Sequence, residues 1–339
     1  NDLEYLSPVE VGNTIMKLDF DTGSSDLWVF SDKLPLWQLQ NHTFYPTEAV
    51  NTTNATASSN VRQVTGVKKE GFTWTIVYGD GTSASGVVFM DKVRVGAATV
   101  NTQAVEVATS VSRQFHEEKS DGLLGLGFGK TNTIKPQGQK TFFENLKDNL
   151  PLPLFTVSLK KGATGIYDFG FIDQKKYTGD IKYINVNTTR GYWEYAAVGY
   201  QVGNSPPVKT AFQSIADTGT TLLLLPTEVV KAFYANVPGA QLITTEGGYV
   251  YPCESAAKMP DLKLLVASTR TSNETPVELT VPGYFLDRGK SATGSGRCFG
   301  GVQMGSPALS IWGDIFLKSQ FVVFEHVNDT NPRIGFAKQ

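Results

Sequence analysis

Two aspartates in this chain are each followed by Thr-Gly, Asp21 in DFDTGSSDLWVF and Asp217 in IADTGTTLLLL. Both follow apolar, strand-like residues, and both precede small hydroxyl residues. A chain of this length contains on the order of 0.1 Asp-Thr-Gly tripeptides at average composition, so two occurrences argue against unrelated surface turns.

The residues after each aspartate could hold a carboxylate inside a fold so that it can do chemistry. Gly23 and Gly219 let the backbone turn sharply and present an N–H at close range. The hydroxyl-bearing residues of the two motifs are Thr22, Ser24, Thr218 and Thr220. In each motif the first hydroxyl could bond across to a partner loop. The second, three residues after the aspartate, could donate to the outer carboxylate oxygen.

The two motifs belong to a degenerate internal repeat. Gly125 in DGLLGLG follows the first motif, Gly313 in LSIWGD follows the second, and an apolar pair precedes each glycine. The pattern predicts two lobes, each with one aspartate and one apolar-apolar-Gly element. We place the boundary near residue 175, giving lobes at 1–175 and 176–339.

Strand patterns dominate the elements that must position these residues. Alternating or β-branched segments recur along the chain, at TWTIVY (73–78), GVVFMDKVRVG (86–96), QAVEVA (103–108), LFTVSL (154–159) and QFVVFE (320–325). Helical patterns are few: TFFENLKDNL (141–150), and TEVVKAFYANV (227–237) with Thr227 as its expected N-cap. The sequence therefore predicts a mostly β fold with few short helices.

Composition and motif inventory exclude several functional classes. The 339 residues are 40% hydrophobic and 18% charged with a net charge of −2, which offers no basic field for nucleic acid or an anionic membrane. No apolar run is long enough to span a bilayer. Only three histidines occur, and QFHEEKSDG predicts an exposed loop around His116, so we expect no metal site. No GxSxG, P-loop or GxGxxG motif occurs in a suitable context, and we expect no cofactor.

Cysteines and sequons indicate a secreted product. The chain has two cysteines, Cys253 and Cys298. Two buried free thiols are one interpretation, but a disulfide is favoured if the chain is secreted. The N-glycosylation candidates are Asn41, Asn51, Asn54, Asn187, Asn273 and Asn328. The chain begins at Asn1, which we interpret as the start of a processed product.

Taken together, these motifs resemble the pepsin-like aspartic peptidases, in particular their fungal secreted branch. The matching segments extend over essentially the whole chain and are DFDTGSSDLWVF, YGDGTSASG, DGLLGLG, ADTGTTLLLLP and GDIFLKSQFVVFE. The resemblance implies a bilobal fold, two β-rich lobes around a central cleft. Asp21 and Asp217 would meet at its floor and share one proton around a bridging water. It further implies peptide hydrolysis at acidic pH without a covalent intermediate, by an enzyme made as a zymogen.

The same resemblance assigns the substrate-binding residues. YGDG at 78–81 would be the tip of a flap that closes over substrate, with Trp28 hydrogen bonded to Tyr78. Gly79, Asp80, Gly219 and Thr220 would bind the substrate backbone, and Thr221 would also contact substrate. The pocket before the cut would be lined by Asp19, Tyr78, Asp80, Phe115 and Leu123, and the pocket after it by Ile215. Large hydrophobic residues are then preferred on both sides, and Asp80 permits Lys before the cut.

Two segments depart from the family pattern, and two alternatives stay open. The first hairpin, in VEVGNTIMKLDFD, is shorter than usual, and 256–280 is longer. A pepsin-like fold without activity, serving as an inhibitor or binding protein, is one alternative. A surface-anchored processing protease is the other. We expect a monomer that acts on polypeptides and binds pepstatin-type inhibitors, secreted or, alternatively, vacuolar.

Overall fold

The chain folds into two compact units. The structure, a computed structural model, describes residues 4–48, 64–267, 275–327 and 331–339. The first unit is Glu4–Asn149, and the second begins at Leu150 and runs to Gln339. The sequence-based boundary near residue 175 falls inside the second unit. The reason is strand pairing, because the strands at Leu154–Lys160 and Ala163–Phe169 belong to a sheet whose other strands come from the C-terminal half.

A seven-stranded sheet forms the first unit. Its strands are β1 (Leu6–Val11), β2 (Thr14–Asp21), β3 (Leu27–Val29), β4 (Val67–Val77), β5 (Ser83–Val95), β6 (Ala98–Val111) and β7 (Gly122–Gly125). Their order is β1-β2-β7-β3-β6-β5-β4, with β1 also pairing with β5. Strand β7 runs parallel to β2 and antiparallel to β3, so it lies between the strand that carries Asp21 and the strand that carries Trp28.

The helices of the first unit are short. They are α1 (Arg113–Glu117), α2 (Phe142–Leu146) and three 3₁₀ turns at Leu36–Gln38, Gly129–Thr131 and Lys147–Asn149. A capping box begins α2, since Thr141 accepts from the Glu144 backbone N–H while the Glu144 carboxylate accepts from that of Thr141. Its buried apolar residues face the sheet, which explains why the pattern at 141–150 is helical.

Three sheets make up the second unit. Its strands are β8 (Leu154–Lys160), β9 (Ala163–Phe169), β10 (Thr178–Asn185), β11 (Glu194–Val202), β12 (Val208–Ala216), β13 (Leu223–Leu225), β14 (Gln241–Ile243), β15 (Gly248–Pro252), β16 (Leu262–Val266), β17 (Val277–Val281), β18 (Asp287–Lys290), β19 (Arg297–Gly300), β20 (Val302–Met304), β21 (Ser310–Trp312), β22 (Gln320–His326) and β23 (Pro332–Lys338). The sheet orders are β10-β23-β22-β8-β9, β17-β16-β11-β12-β21-β13-β20 and β14-β15-β19-β18.

Helices are equally short in the second unit. They are α3 (Thr227–Tyr234), α4 (Asp314–Leu317) and 3₁₀ turns at Gln174–Lys176, Thr188–Arg190, Thr244–Glu246, Cys253–Lys258 and Gly283–Leu286. The N-cap of α3 is Pro226 and not Thr227, because the Pro226 carbonyl already accepts the N–H groups of Val229 and Val230. The longest described helix, α3, has 8 residues, so none of the described helices could span a bilayer.

The predicted strands are present, and so is the predicted disulfide. All five strand segments proposed from sequence lie within β4, β5, β6, β8 and β22, apart from one or two end residues. Cys253 and Cys298 are bonded, with their Cα atoms 4.9 Å apart, across a separation of 45 residues. In the chain-entropy account, a closed loop of this length stabilises the fold by roughly 4 kcal/mol.

Candidate active site

The first Asp-Thr-Gly lies in a loop built from three strands. Strand β2 ends at Asp21, which pairs with Gly125 of β7. The chain then turns and returns as β3 on the other side of β7. Two further bonds fix the loop, from Leu126 N–H to the Asp21 carbonyl (2.7 Å) and from Gly125 N–H to the Asp26 carbonyl (2.8 Å). Asp21 is thereby held at the end of a buried strand, with only 4% of its surface exposed.

The second Asp-Thr-Gly repeats this arrangement in the other unit. Asp217 follows β12, which runs parallel to β21, and β13 returns on the other side of β21. The Asp217 N–H donates to the Trp312 carbonyl (3.2 Å), and the Asp314 N–H donates to the Thr220 carbonyl (2.8 Å). Asp217 is 6% exposed. The internal repeat predicted from sequence is therefore present as two loops of the same strand order.

Close packing explains the glycine that follows each apolar pair. A Cβ added to Gly125 would lie 2.6 Å from the Asp26 nitrogen, and one added to Gly313 would lie 2.1 Å from the Thr220 carbonyl oxygen. Neither backbone atom can move without opening the loop that holds the neighbouring aspartate. Glycine is thus required at both positions, as the sequence pattern suggested.

Backbone and hydroxyl groups hold the two carboxylates, but not identically. Gly23 N–H donates to Asp21 Oδ1 at 2.7 Å, and Gly219 N–H donates to Asp217 Oδ1 at 3.0 Å. Thr220 Oγ1 donates to Asp217 Oδ2 at 2.7 Å, as predicted.

The corresponding expectation for Ser24 is wrong. Its hydroxyl is buried and has no hydrogen-bond partner in the structure. Serine lacks the branch at Cβ that restricts the rotamer of Thr220, so its hydroxyl is not directed at the carboxylate in the same way. The remaining two hydroxyl residues, Thr22 and Thr218, are buried beside their aspartates.

The segment YGDG forms the turn between β4 and β5. Tyr78 N–H donates to the Thr82 carbonyl (2.9 Å), and Gly81 adopts a φ of +88°, which glycine accommodates without strain. Asp80 Oδ1 accepts from the Thr82 N–H and hydroxyl, at 2.9 and 2.7 Å. Gly79 and Asp80 are exposed at the tip. Asp80 therefore shapes the turn with one carboxyl oxygen.

Three aromatic side chains join this hairpin to the sheet. Trp28 Nε1 donates to Tyr78 Oη at 2.8 Å. The Phe115 ring lies edge-on to Trp28, with centroids 4.9 Å apart, and its centroid lies 5.7 Å from that of Tyr78. Burial raises the pKa of Tyr78 well above its ordinary value, and the charge of Asp21 raises it further. Tyr78 is thus a neutral hydroxyl within the electrostatic reach of the first aspartate.

Of the other residues assigned to substrate binding, Asp19, Leu123 and Ile215 lie on strands beside the two aspartates, and Thr221 lies in the loop between β12 and β13. Asp19 and Leu123 are paired across β2 and β7, two residues before Asp21 and Gly125. Leu123 belongs to the same buried cluster as Trp28 and Phe115. In the second unit, Ile215 is buried on β12, and the Thr221 carbonyl accepts from the Ile315 N–H.

One buried pair of carboxyl groups beside the Asp21 loop, Asp26 and Glu106, was not predicted from the sequence. Asp26 Oδ1 and Glu106 Oε1 both accept from Asn132 Nδ2, at 2.8 and 3.0 Å. Burial raises the pKa of both carboxyls, and that of Glu106 lies well above its ordinary value. Asp26 lies within the quoted DTGSSD motif, which could have drawn attention to it. The sequence around Glu106 gave no indication of this pair, because residues 103–108 are all buried and the strand shows no alternation of buried and exposed residues.

Two of the predicted glycosylation sites lie in the described residues. Asn41 is exposed with a φ of 70°. Asn187 is half-buried, and its side-chain oxygen accepts from the N–H and hydroxyl of Thr189, at 3.1 and 2.7 Å. The other four candidates, Asn51, Asn54, Asn273 and Asn328, lie outside the described residues.

The first departure from the family pattern is visible as a tight hairpin. Val11 pairs with Thr14, so only Gly12 and Asn13 connect β1 to β2. Gly12 has a φ of +60°, as such turns require. The second departure, 256–280, includes β16 and the start of β17, but its middle lies outside the described residues.

Comparison with known proteins agrees with this geometry. Residues 4–339 match the family described as "Eukaryotic aspartyl protease". The chain is 44% identical over 339 residues to penicillopepsin-3 of Penicillium janthinellum, covering all of this chain and 79% of the relative. It is 46% identical over 340 residues to aspergillopepsin-1 of Aspergillus clavatus, again covering all of this chain and 79% of the relative. A crystal structure of aspartic proteinase from Irpex lacteus has the same fold, with a TM-score of 0.74 at 23% identity, over 99% of this chain and 94% of that one.

These findings define the class of the protein. The chain belongs to the eukaryotic aspartyl protease family, the pepsin-like aspartic peptidases. It is accordingly an aspartic-type endopeptidase with a pepsin-like fold, and the resemblance recognised from its motifs is confirmed.

Proposed function

We propose that Asp21 and Asp217 are the catalytic pair of this peptidase and act together on one water molecule. The observation that carries the assignment is the repeated loop. Each aspartate is buried at the end of a strand, and each accepts the N–H of the glycine two residues later. Two equivalent carboxyl groups, each fixed by backbone donors, are what a reaction with one general base and one general acid needs.

The reaction follows from one proton held by the pair. As is general for aspartic proteases, two adjacent carboxyls cannot both ionise readily, so the pair keeps one proton in acid. The ionised carboxylate takes a proton from water while the water oxygen bonds to the scissile carbonyl carbon. The protonated carboxyl gives its proton to the carbonyl oxygen. The C–N bond then breaks as the carboxyl that took the water proton gives it to the leaving nitrogen, while the other carboxylate takes a proton from a hydroxyl of the diol. This leaves a carboxylic acid and an amine and restores the starting pair.

The hairpin at Tyr78–Gly81 would act as the flap over the substrate. Its support is the contact of Tyr78 with Trp28 and Phe115, which anchors the exposed tip to the buried sheet. Phe115 and Leu123 would form the apolar wall before the cut and Ile215 the wall after it. Asp80 would accept Lys before the cut, using the carboxyl oxygen that Thr82 does not engage.

A secreted enzyme is the matching proposal for localisation, with the vacuole as the alternative. The disulfide between Cys253 and Cys298 supports an oxidising compartment. Separate assay of culture medium and vacuolar fractions from the producing cells distinguishes the two.

We also propose that the enzyme is a monomer that binds pepstatin. Light scattering during gel filtration tests the first point.

Cleavage of denatured haemoglobin from about pH 2 to about pH 7, with and without pepstatin, tests the central assignment. We expect activity in acid that pepstatin blocks, and no activity in Asp21→Asn or Asp217→Asn. Asp148→Asn is the matched control, because the Asp148 side chain is 73% exposed. Full activity in either catalytic variant would refute the pair. A folded wild-type protein that cleaves nothing would indicate an inhibitor or binding protein.

A further inference from the structure

His42 is buried in the first unit with both ring nitrogens against backbone carbonyl oxygens. Nδ1 lies 3.0 Å from the Ser120 oxygen, and Nε2 lies 3.1 Å from the His116 oxygen. A carbonyl oxygen only accepts hydrogen bonds, and a neutral imidazole has a single N–H to donate. Both contacts can therefore be hydrogen bonds only when the ring carries both protons and a positive charge.

The surroundings of His42 suit a cation. Asp121 Oδ1 lies 3.7 Å from Nδ1, with 1% of the His42 and 4% of the Asp121 side chain exposed. The imidazole stacks on Phe30, with ring centroids 4.1 Å apart. Burial by itself lowers the pKa of His42. The contacts with Asp121 and with the carbonyls of His116 and Ser120 outweigh burial, so the pKa lies above its ordinary value.

Among the titratable groups around His42, Asp121 is the one whose negative charge can balance a positive imidazole ring. The Asp121 carboxylate is itself held by the backbone N–H groups of Lys17 and Thr43, both at 2.8 Å. Two further titratable residues face His42: His116, which is in α1, and Glu118, which directly follows α1. Burial raises the pKa of Glu118 to about 7, with a further rise from neighbouring carboxylates, so Glu118 is largely neutral in acid.

His42 thereby ties the α1 segment to the loop that follows the 3₁₀ turn at Leu36–Gln38. The other ties are Gln38 Nε2 to the Val111 carbonyl (3.2 Å) and His116 Nδ1 to the Gln38 carbonyl (3.2 Å). The prediction that His116 lies in an exposed loop is wrong, because this network includes it in α1 and half-buries it. Phe115 lies in the chain between these two attachments, the Val111 carbonyl on one side and the His116 and Ser120 carbonyls on the other. Its ring is the one that packs against Tyr78 and Trp28.

We propose that the imidazolium form of His42 is a positioning residue of this peptidase. It holds α1 where Phe115 supports Tyr78, and loss of one proton leaves a lone pair facing a carbonyl oxygen and releases α1. The wall before the cut is then well formed in acid and loosens as His42 loses its proton. This inference rests on the proposed function only in taking Phe115 and Tyr78 as substrate-binding residues.

The protonation state can be measured without any activity. In Asp21→Asn protein labelled with ¹⁵N at histidine, the ring nitrogen shifts of His42 report both protons directly. We expect His42 to remain doubly protonated at about pH 6.5, where an unperturbed histidine is half neutral. A His42 ring that is mainly neutral at that pH would overturn the proposal, even if the peptidase assignment is correct.

Kinetics of His42→Gln test the positioning role. The glutamine side chain is neutral and has a single NH₂ group, whereas the imidazolium ring has N–H donors on opposite sides. Glutamine can therefore donate to only one of the two carbonyls, that of Ser120 or that of His116. For peptides with Phe before the cut, we expect KM in acid to rise about tenfold while kcat changes less than about twofold. His326→Gln is the matched control, because His326 is also a buried histidine but lies in the second unit. This variant should leave KM unchanged.

The pH profile separates positioning from general stability. In wild-type enzyme KM should be constant in acid and rise as His42 loses its proton, whereas in His42→Gln it should be high and independent of pH. A variant with the wild-type KM profile would refute the proposal. If His42→Gln does not fold, the ¹⁵N titration decides by itself. If the enzyme cleaves nothing, the peptidase assignment fails, but the titration still tests the charge on His42.

Discussion

Asp26 and Glu106 share one hydrogen-bond donor, Asn132 Nδ2, which lies 2.8 Å from Asp26 Oδ1 and 3.0 Å from Glu106 Oε1. The two carboxyls also form a side-chain hydrogen bond with each other, and both this bond and the charge of Asp26 raise the pKa of Glu106 beyond the effect of burial. An ionised carboxylate only accepts hydrogen bonds, so a hydrogen bond between these two carboxyl groups requires that the pair hold at least one proton. Asp26 also carries the carbonyl that binds Gly125, and Glu106 pairs with Trp28, so the shared proton stabilises both the Asp21 loop and the Trp28 contact that anchors the Tyr78–Gly81 hairpin.

This pair predicts a fold that is stable in acid and weakened towards neutral pH. Burial raises both carboxyl pKa values above those of the unfolded chain, so the folded state binds more protons than the unfolded state as pH rises past about 4. The stability is complete below that pH and is lost as pH rises through the raised values. Each proton involved contributes a slope of up to about 1.4 kcal/mol per pH unit.

Glu106→Gln tests this dependence, since glutamine can donate as the protonated acid does but cannot ionise. In an Asp21→Asn background, which prevents self-digestion, we expect the variant to lose less stability than its parent between about pH 4 and pH 7. Chemical denaturation at each pH measures this. Glu70→Gln is the control, because the Glu70 side chain is 77% exposed. Parallel curves for parent and Glu106→Gln would contradict the shared proton.

The two aspartate loops should respond differently to loss of their hydroxyls. Thr220 Oγ1 donates to Asp217 Oδ2 at 2.7 Å, whereas Ser24 Oγ has no partner. We expect Thr220→Val to lower kcat by about tenfold, the effect of losing one hydrogen bond to a carboxylate. Ser24→Ala should cost distinctly less. Initial rates at saturating peptide substrate compare the two, and equal losses would show that the structural asymmetry has no role in catalysis.

The flap anchor can be tested with a double-mutant cycle on Trp28 and Tyr78. Each of Trp28→Phe and Tyr78→Phe removes the 2.8 Å hydrogen bond between them while retaining an aromatic ring. We expect each to lower kcat/KM by about three- to tenfold, with the double variant little worse than either single variant. Strict additivity would mean that the two side chains act independently and that the flap is anchored by other contacts.

Asp80 should set the tolerance for lysine before the cut. Asp80→Asn keeps Oδ1, so the bonds that Thr82 makes to the turn are retained. We expect kcat/KM for peptides with Lys before the cut to fall about tenfold or more, and that for peptides with Phe to change less than about twofold. Paired peptides that differ only at this position provide the measurement. Equal losses on both peptides would indicate a general role of Asp80 in the turn.

The two Asp-Thr-Gly motifs and most of the elements around them could be predicted from the sequence alone. Both Asp-Thr-Gly loops, the glycines Gly125 and Gly313, and the YGDG turn could be predicted because each depends on local backbone geometry that few residues allow. The strands and the start of α2 followed from side-chain periodicity and composition. The pairing of Cys253 with Cys298 followed from there being only two cysteines.

Which distant groups face each other could be read only from the folded chain. Periodicity shows that a strand is buried but not which strands are its neighbours, and so it could not bring Glu106 to Asp26, or the carbonyls of Ser120 and His116 to His42. The unit boundary at Leu150 was hidden for the same reason, because β8 pairs with β22 near the other end of the chain. Ser24 and Thr220 occupy equivalent positions in sequence, but only threonine has the Cβ branch that restricts its hydroxyl, and the structure alone shows that Ser24 Oγ makes no bond to the carboxylate.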